Sequence, residues 1–132
     1  MPSPFIDSSI LIYAFSNDRR AEKANALLLE PWQTSVQALN EFALASRRKL
    51  KIEWNEISLA VADILTIGQI IHDVTLATHV TGLRVAAKYR LQIYDAMMIA
   101  AALLAGADTL LSEDMYAGLV VDNQLIIANP FA

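Results

Sequence analysis

Short apolar runs alternate with helix-length amphipathic stretches along the whole chain, an order that points to a parallel sheet covered by helices on both faces. The runs are residues 5–6, 32–35, 70–74, 109–111, 119–121 and 125–128. Helical spacing is predicted from a cap at Ser8 or Ser9 through Tyr13, over residues 19–29, and from a capping box at Thr34 and Gln37 to about Leu50. It resumes from Asn55 or Ser58 to near Gly68, over residues 76–90, and from about Asp95 to Gly106. Asp122 and Asn123, between the last two runs, suit a tight turn. No repeat, low-complexity stretch or linker rich in Pro, Gly or Ser interrupts the chain, and 132 residues suffice for one domain with one core. The prediction is a single domain over residues 1–132.

Composition narrows the chemistry. There is no Cys, so disulfides and thiolate metal ligands are excluded, which is compatible with a reducing cytosol and an expected cytoplasmic location. The most apolar segment, residues 96–111, is interrupted by Asp108 and falls short of the roughly 20 residues a bilayer requires, so no membrane span is expected. The apolar fraction of 55% exceeds the roughly 45–50% usual for globular domains. That surplus suggests apolar surface left for a homodimer or a protein partner. The formal charge of −4 argues against nucleic-acid binding only until its distribution is considered. Four acids set aside from 14 leave ten, equal to the ten Lys and Arg.

Those four are Asp7, Glu41, Asp95 and Asp114. In an open α/β sheet, ligands bind beyond the carboxyl ends of the strands. Asp7 and Asp114 follow apolar runs directly, Glu41 lies about two turns into the helix after the second run, and Asp95 begins the helix before the fourth. Four converging carboxylates repel one another, and a cation is the simple remedy. Oxygen-only ligation suits Mg²⁺ or Mn²⁺, which can orient a phosphodiester, lower the pKa of an attacking water and stabilise the leaving oxygen. Ser9 and Ser112 each stand two residues from a proposed ligand, where a hydroxyl can hold a carboxylate in place.

Phe5-Ile6-Asp7-Ser8-Ser9-Ile10-Leu11-Ile12-Tyr13, Asn40-Glu41-Phe42, Tyr94-Asp95-Ala96 with its Ala-rich helix, and Leu110-Leu111-Ser112-Glu113-Asp114 resemble the ordered motifs of PIN domains. The resemblance extends to the closing Ile126-Ile127-Ala128-Asn129-Pro130-Phe131, and the chain's size is that of VapC-like toxins of type II toxin–antitoxin pairs. It implies a three-layer sandwich with a central parallel sheet of about five strands. It also implies Mg²⁺- or Mn²⁺-dependent endoribonuclease activity leaving a 5′-phosphate and a 3′-hydroxyl, dimerisation, and inhibition by a small antitoxin protein. Many members carry Asn or Thr near the first Asp, where this chain has Ser8 and Ser9. Many also carry a further acid beyond the last motif, where this chain has Tyr116, so a second metal is conditional on RNA.

Other charged residues are read more plainly. Arg84, Lys88 and Arg90, on the helix leading to Asp95, are candidates to meet RNA phosphates. Arg47, Arg48, Lys49 and Lys51 are expected to be a solvated helix end, where cations favour the dipole, and Glu113, Asp108 and Asp122 to be solvated turn residues. His72 and His79 lack metal-ligand spacing. Two rival functions are a PIN-fold module that binds RNA or protein without cleavage, and a receiver-like domain phosphorylated on Asp73. The receiver wants an acid pair after the first strand and a Lys after the last ones. Asp7 is followed by Ser8, and no Lys follows Lys88.

Overall fold

Phe5 and Ile6 are apolar in succession, which suits a strand covered on both faces, and β1 (Phe5–Ile6) is fully buried near the centre of the sheet. The computed structural model describes residues 2–67 and 70–132. After β1 come α1 (Ser8–Ala14), α2 (Ala21–Leu28), β2 (Gln33–Ser35), α3 (Val36–Arg48), α4 (Trp54–Ile67) and β3 (Ile70–His72). The chain continues through α5 (Leu76–Tyr89), α6 (Ile93–Leu104), β4 (Thr109–Leu111), β5 (Val120–Val121) and β6 (Leu125–Ala128). The end predicted near Gly68 for the fourth helix lies outside the described residues.

The strands lie in the order β3-β2-β1-β4-β6-β5, with every neighbouring pair parallel except β5 and β6. Five strands thus form the parallel sheet anticipated, and β5 adds an antiparallel edge. Asp122 and Asn123 both adopt left-handed backbone, at φ 52° and 54°, and Gln124 N donates to Val121 O across 3.0 Å. A pair of left-handed residues matches the right-handed twist of a hairpin, and Asp and Asn tolerate that conformation.

Asp7 N donates to Leu111 O across 3.0 Å and extends the β1–β4 register of Phe5 with Leu110 and Ile6 with Leu111. Strand order reverses between β1 and β4, so the loops leaving them splay apart and open a crevice at their carboxyl ends. Beneath it Phe5, Ile10, Leu11, Trp32, Phe42, Met98, Leu110 and Ile127 fill the core. α6 packs on β2 and β4, α5 packs on α6, and α1 packs on α2 and α3. The α5–α6 crossing is close because Gly82 has no side chain, and a Cβ there would collide with Met97 Sδ.

Two predicted caps are replaced. The N-cap of α1 is Asp7 itself, in extended conformation and accepting from Ser8 N at 2.7 Å, so Ser8 and Ser9 are helical residues. The Thr34–Gln37 capping box does not form. Thr34 is buried in β2, where its hydroxyl donates to Ile6 O at 2.7 Å, and Gln37 turns toward Glu41. A buried hydroxyl on a central strand takes the nearest free carbonyl in preference to a cap one residue before the helix begins.

Candidate metal centre at the strand ends

Asp7 is only 3% exposed, so its carboxylate needs donors, and three serines supply them. Its Oδ2 accepts from Ser9 Oγ at 3.1 Å and Ser112 Oγ at 2.7 Å, while Oδ1 accepts from Ser8 N at 2.7 Å. The start of α1 adds the positive end of a helix dipole beneath the same group. Ser112 does more than hold Asp7. Its oxygen accepts from Asp114 N at 3.1 Å and Met115 N at 3.2 Å, shaping the turn that presents Asp114. Ser9 Oγ likewise accepts from Glu113 N at 3.2 Å.

Ser8 Oγ lies 2.8 Å from Glu41 Oε1 and 3.3 Å from Asp7 Oδ1. A hydroxyl has one proton to donate, and the shorter contact takes it, which leaves a lone pair of Asp7 Oδ1 open toward the crevice. Gln37, one turn before Glu41, uses both amide protons of Nε2. One goes to Glu41 Oε2 at 2.9 Å and the other to Tyr94 O at 2.9 Å. The helix carrying Glu41 is thereby fastened to the first turn of the helix carrying Asp95, whose N-cap is Gln92, with its side chain accepting from Tyr94 N.

The charges of these acids act on one another. Burial pushes the Glu41 carboxyl above the usual carboxylate range, and the charges of Asp7 and Asp95 push the same way against the Gln37 and Ser8 hydrogen bonds. Asp95 is raised by burial, then by Asp7 and Asp114. Asp114 is more exposed, yet the partial loss of water raises it too, as do Asp7 and Glu113, with Lys49 and Arg20 in opposition. Asp7 is thus the common neighbour of the other three. Among the described residues, no three Asp, Glu or His side chains already stand close enough to hold an ion. Electrostatics gathers the four predicted acids; tight chelating geometry does not yet.

Several neighbours carried no signal in the sequence. Glu113, expected to be solvated, accepts Arg20 Nη1 on both oxygens at 2.7 and 2.6 Å and the Tyr13 hydroxyl at 2.7 Å. Arg20 also pairs with Asp18 at 2.7 Å and lies 4.3 Å from the Tyr13 ring centre. Glu113 and Arg20 are 93 residues apart, beyond any local spacing rule. Lys49, assigned to a solvated helix end, acts on Asp114. Gln37 was discoverable, since an amide one helical turn from an acid is a recurrent pair.

The predicted RNA contacts are engaged elsewhere. Arg84 and Lys88 pair with Asp122 at 2.7 and 3.2 Å. Asp122, expected to be solvated, also accepts from the Tyr89 hydroxyl and precedes the amino end of β6, the opposite end from the acids. Arg90 is the left-handed C-cap of α5, its N–H closing on Ala86 O. His72 Nε2 meets Gln33 Oε1 at 2.8 Å and stacks on Phe5, a packing role.

No described helix is long and apolar enough to cross a membrane. Comparison with curated proteins finds no match. The profile of the PIN domain family matches residues 5–116. Solved structures share the fold at low identity. A toxin–antitoxin complex from Klebsiella pneumoniae is 19% identical with a TM-score of 0.72, covering 97% of this chain and 98% of the other. VapC20 of Mycobacterium tuberculosis, described as a sarcin-ricin loop cleaving toxin, is 19% identical with a TM-score of 0.69, over 82% of this chain and 87% of its own. A DNA-bound VapBC from Salmonella typhimurium is 13% identical with a TM-score of 0.72, over 98% and 99%. The profile match runs from β1 through the turn after β4 on a fold that aligns nearly end to end with such structures, and this chain belongs to the PIN domain family.

Proposed function

We propose that the chain is a divalent-metal-dependent endoribonuclease, with Asp7, Glu41, Asp95 and Asp114 holding the ion and RNA phosphodiester bonds as substrate. The observation that carries this reading is the environment of Asp7: a buried carboxylate fixed by serine donors at the switch point of the sheet, with Glu41, Asp95 and Asp114 each raised by burial and by the charge of Asp7. Oxygen-only donors whose repulsion is relieved only in part by Gln37, Ser8, Lys49 and Arg20 suit Mg²⁺ or Mn²⁺, and Glu41, Asp95 and Asp114 are none of them fully buried. When bound, the ion supplies Lewis-acid polarisation of the phosphodiester and a lower pKa for the attacking water.

The protein's part is positioning. Ser8, Ser9 and Ser112 hold Asp7, Gln37 orients Glu41, and the Ser112 hydroxyl sets the turn bearing Asp114. Water adds to phosphorus as the P–O3′ bond breaks, the 3′ oxygen leaves as a hydroxyl, and the products carry the 5′-phosphate and 3′-hydroxyl that the family resemblance implies.

The toxin role is inferred from two structural relatives, one named a toxin–antitoxin complex and the other a toxin cleaving the sarcin-ricin loop. On that reading a small antitoxin protein and a second copy of this chain are the partners, and the cytoplasm is the working compartment. Exposed apolar residues such as Leu59, Leu65, Leu76 and Val80 offer surface for them. Membership of the PIN family removes the receiver-like alternative. The non-cleaving alternative is tested directly: purified protein is incubated with total RNA and Mg²⁺ or Mn²⁺, and the new ends are mapped. Cleavage that is lost in excess chelator and in Asp7→Asn supports the nuclease; full activity in folded Asp7→Asn refutes it.

A further inference from the structure

Beside Glu41 a cavity of about 400 Å³ opens between α3 and the first turn of α6, lined by Gln37, Asn40, Glu41, Leu44 and Tyr94. That volume is within the range of small-molecule sites. A second hollow of about 720 Å³ continues from it, sharing Gln37, Asn40 and Tyr94. Tyr94 is 65% exposed although it immediately precedes Asp95. Tyr94 is an exposed aromatic in the first turn of α6, ahead of the buried run from Ala96 to Ala102 that serves the core. Gln37 spends both amide protons on Glu41 and Tyr94 O, leaving Oε1 as an acceptor without a protein donor among the described residues. The Asn40 amide likewise has no protein partner there and adds donors and a second acceptor.

We propose that this cavity is a nucleobase subsite, in which the base of a nucleotide flanking the scissile phosphate stacks on Tyr94 and is read at its edge by Asn40 and Gln37 Oε1. An aromatic face with amide donors and acceptors beside it is how single-stranded RNA bases are recognised, whereas duplex RNA buries its bases. The position is right for a substrate carried into the crevice: Glu41 belongs to both the acid group and the cavity wall. The inference rests on the nuclease reading and extends it to unpaired RNA with a base preference next to the cut.

Tyr94→Ala, Tyr94→Phe and Asn40→Ala are compared with the parent in two measurements, after thermal melts establish that each is folded. Steady-state cleavage of unpaired RNA oligonucleotides should show KM for Tyr94→Ala raised about tenfold, in line with loss of one stacked base, with kcat little changed and Tyr94→Phe near the parent. Asn40→Ala should alter base preference at one position beside the mapped cuts. Fluorescence polarisation with labelled unpaired RNA, without added metal and in chelator, should show the same weakening for Tyr94→Ala. A parent that cuts no RNA would refute the nuclease reading, and polarisation would still decide the subsite. Equal affinity of parent and Tyr94→Ala, or parental KM and unchanged cut preference, overturns the subsite.

Discussion

Ser8 Oγ stands 2.8 Å from Glu41 Oε1, so a residue in the first turn after β1 governs an acid 33 positions later on another helix. Replacing Ser8 by Ala removes the donor that steadies Glu41 and leaves its carboxylate facing Asp7 and Asp95 unsupported. Partners of metal ligands typically cost ten- to a hundredfold in affinity or activity when removed. Ser8→Ala is accordingly expected to raise the Mg²⁺ or Mn²⁺ concentration giving half-maximal RNA cleavage by about that factor. Metal titration of initial rates measures it; an unchanged midpoint would show that Ser8 does not position Glu41.

Asp95 is held above the usual carboxylate range, and the sign of the linkage follows. A group whose folded pKa is raised contributes stability that is complete below its unfolded pKa and is lost as pH rises through the folded value. The metal-free protein is therefore strained by Asp95 at neutral pH. Asp95→Asn should stabilise metal-free protein at pH 7 by about 1 kcal/mol, a size common when a functional charge is removed, and so raise its melting temperature, while abolishing cleavage. The gain should shrink as pH falls toward 4, and added Mg²⁺ should stabilise the parent more than the variant. Melts across pH, with and without metal, test all three.

Asp122 behaves in the opposite sense. Arg84 and Lys88 hold its carboxyl down to about 2, so its contribution is present above the ordinary carboxylate range and lost as pH falls from about 4 through 2. Asn tolerates the left-handed backbone at this position, which makes Asp122→Asn a probe of charge alone. Arg84 and Lys88 are 50% and 56% exposed, and surface pairs contribute roughly 0–1 kcal/mol. Denaturant melts at pH 7 should show a loss of that size, vanishing at pH 2.

The Tyr13 phenol is pushed up to about 12 by burial and by its hydrogen bond to Glu113. Ultraviolet titration should reveal a tyrosine ionising near pH 12 that is absent in Tyr13→Phe. Its contribution to stability is intact below pH 10 and lost between about 10 and 12. Arg20→Met removes the guanidinium from both Glu113 and the Tyr13 ring. It should lower the melting temperature, because Glu113 then keeps only the Tyr13 hydroxyl as a side-chain donor.

Alternating apolar runs foretold the layers because parallel strands buried on both faces leave a plain mark in the sequence, and residues 109–111 became β4 without adjustment. Asp7, Asp95 and Asp114 stand near strand or helix boundaries that can be read locally, and Glu41 about two turns into the helix after β2, so their places in the fold were legible. Caps were less so. Whether Thr34 binds the backbone ahead of it or Ile6 O across the sheet depends on which strands are neighbours, and that information is not local. The Arg20–Glu113 tie and the Arg84–Asp122 pair are invisible for the same reason: a charge shows its sign in sequence but not its partner.

The bond from Ser112 to Asp7 joins residues 105 positions apart, and β4, which Ser112 follows, pairs directly with β1, which Asp7 follows. Chain closure over that distance can occur only after most of the polypeptide has been made. A nascent chain halted anywhere before Leu111 has β1 and its acid but lacks the strand that completes their setting. The acid group therefore cannot assemble piecemeal during translation, and the complete setting of Asp7 exists only once Ser112 has been made.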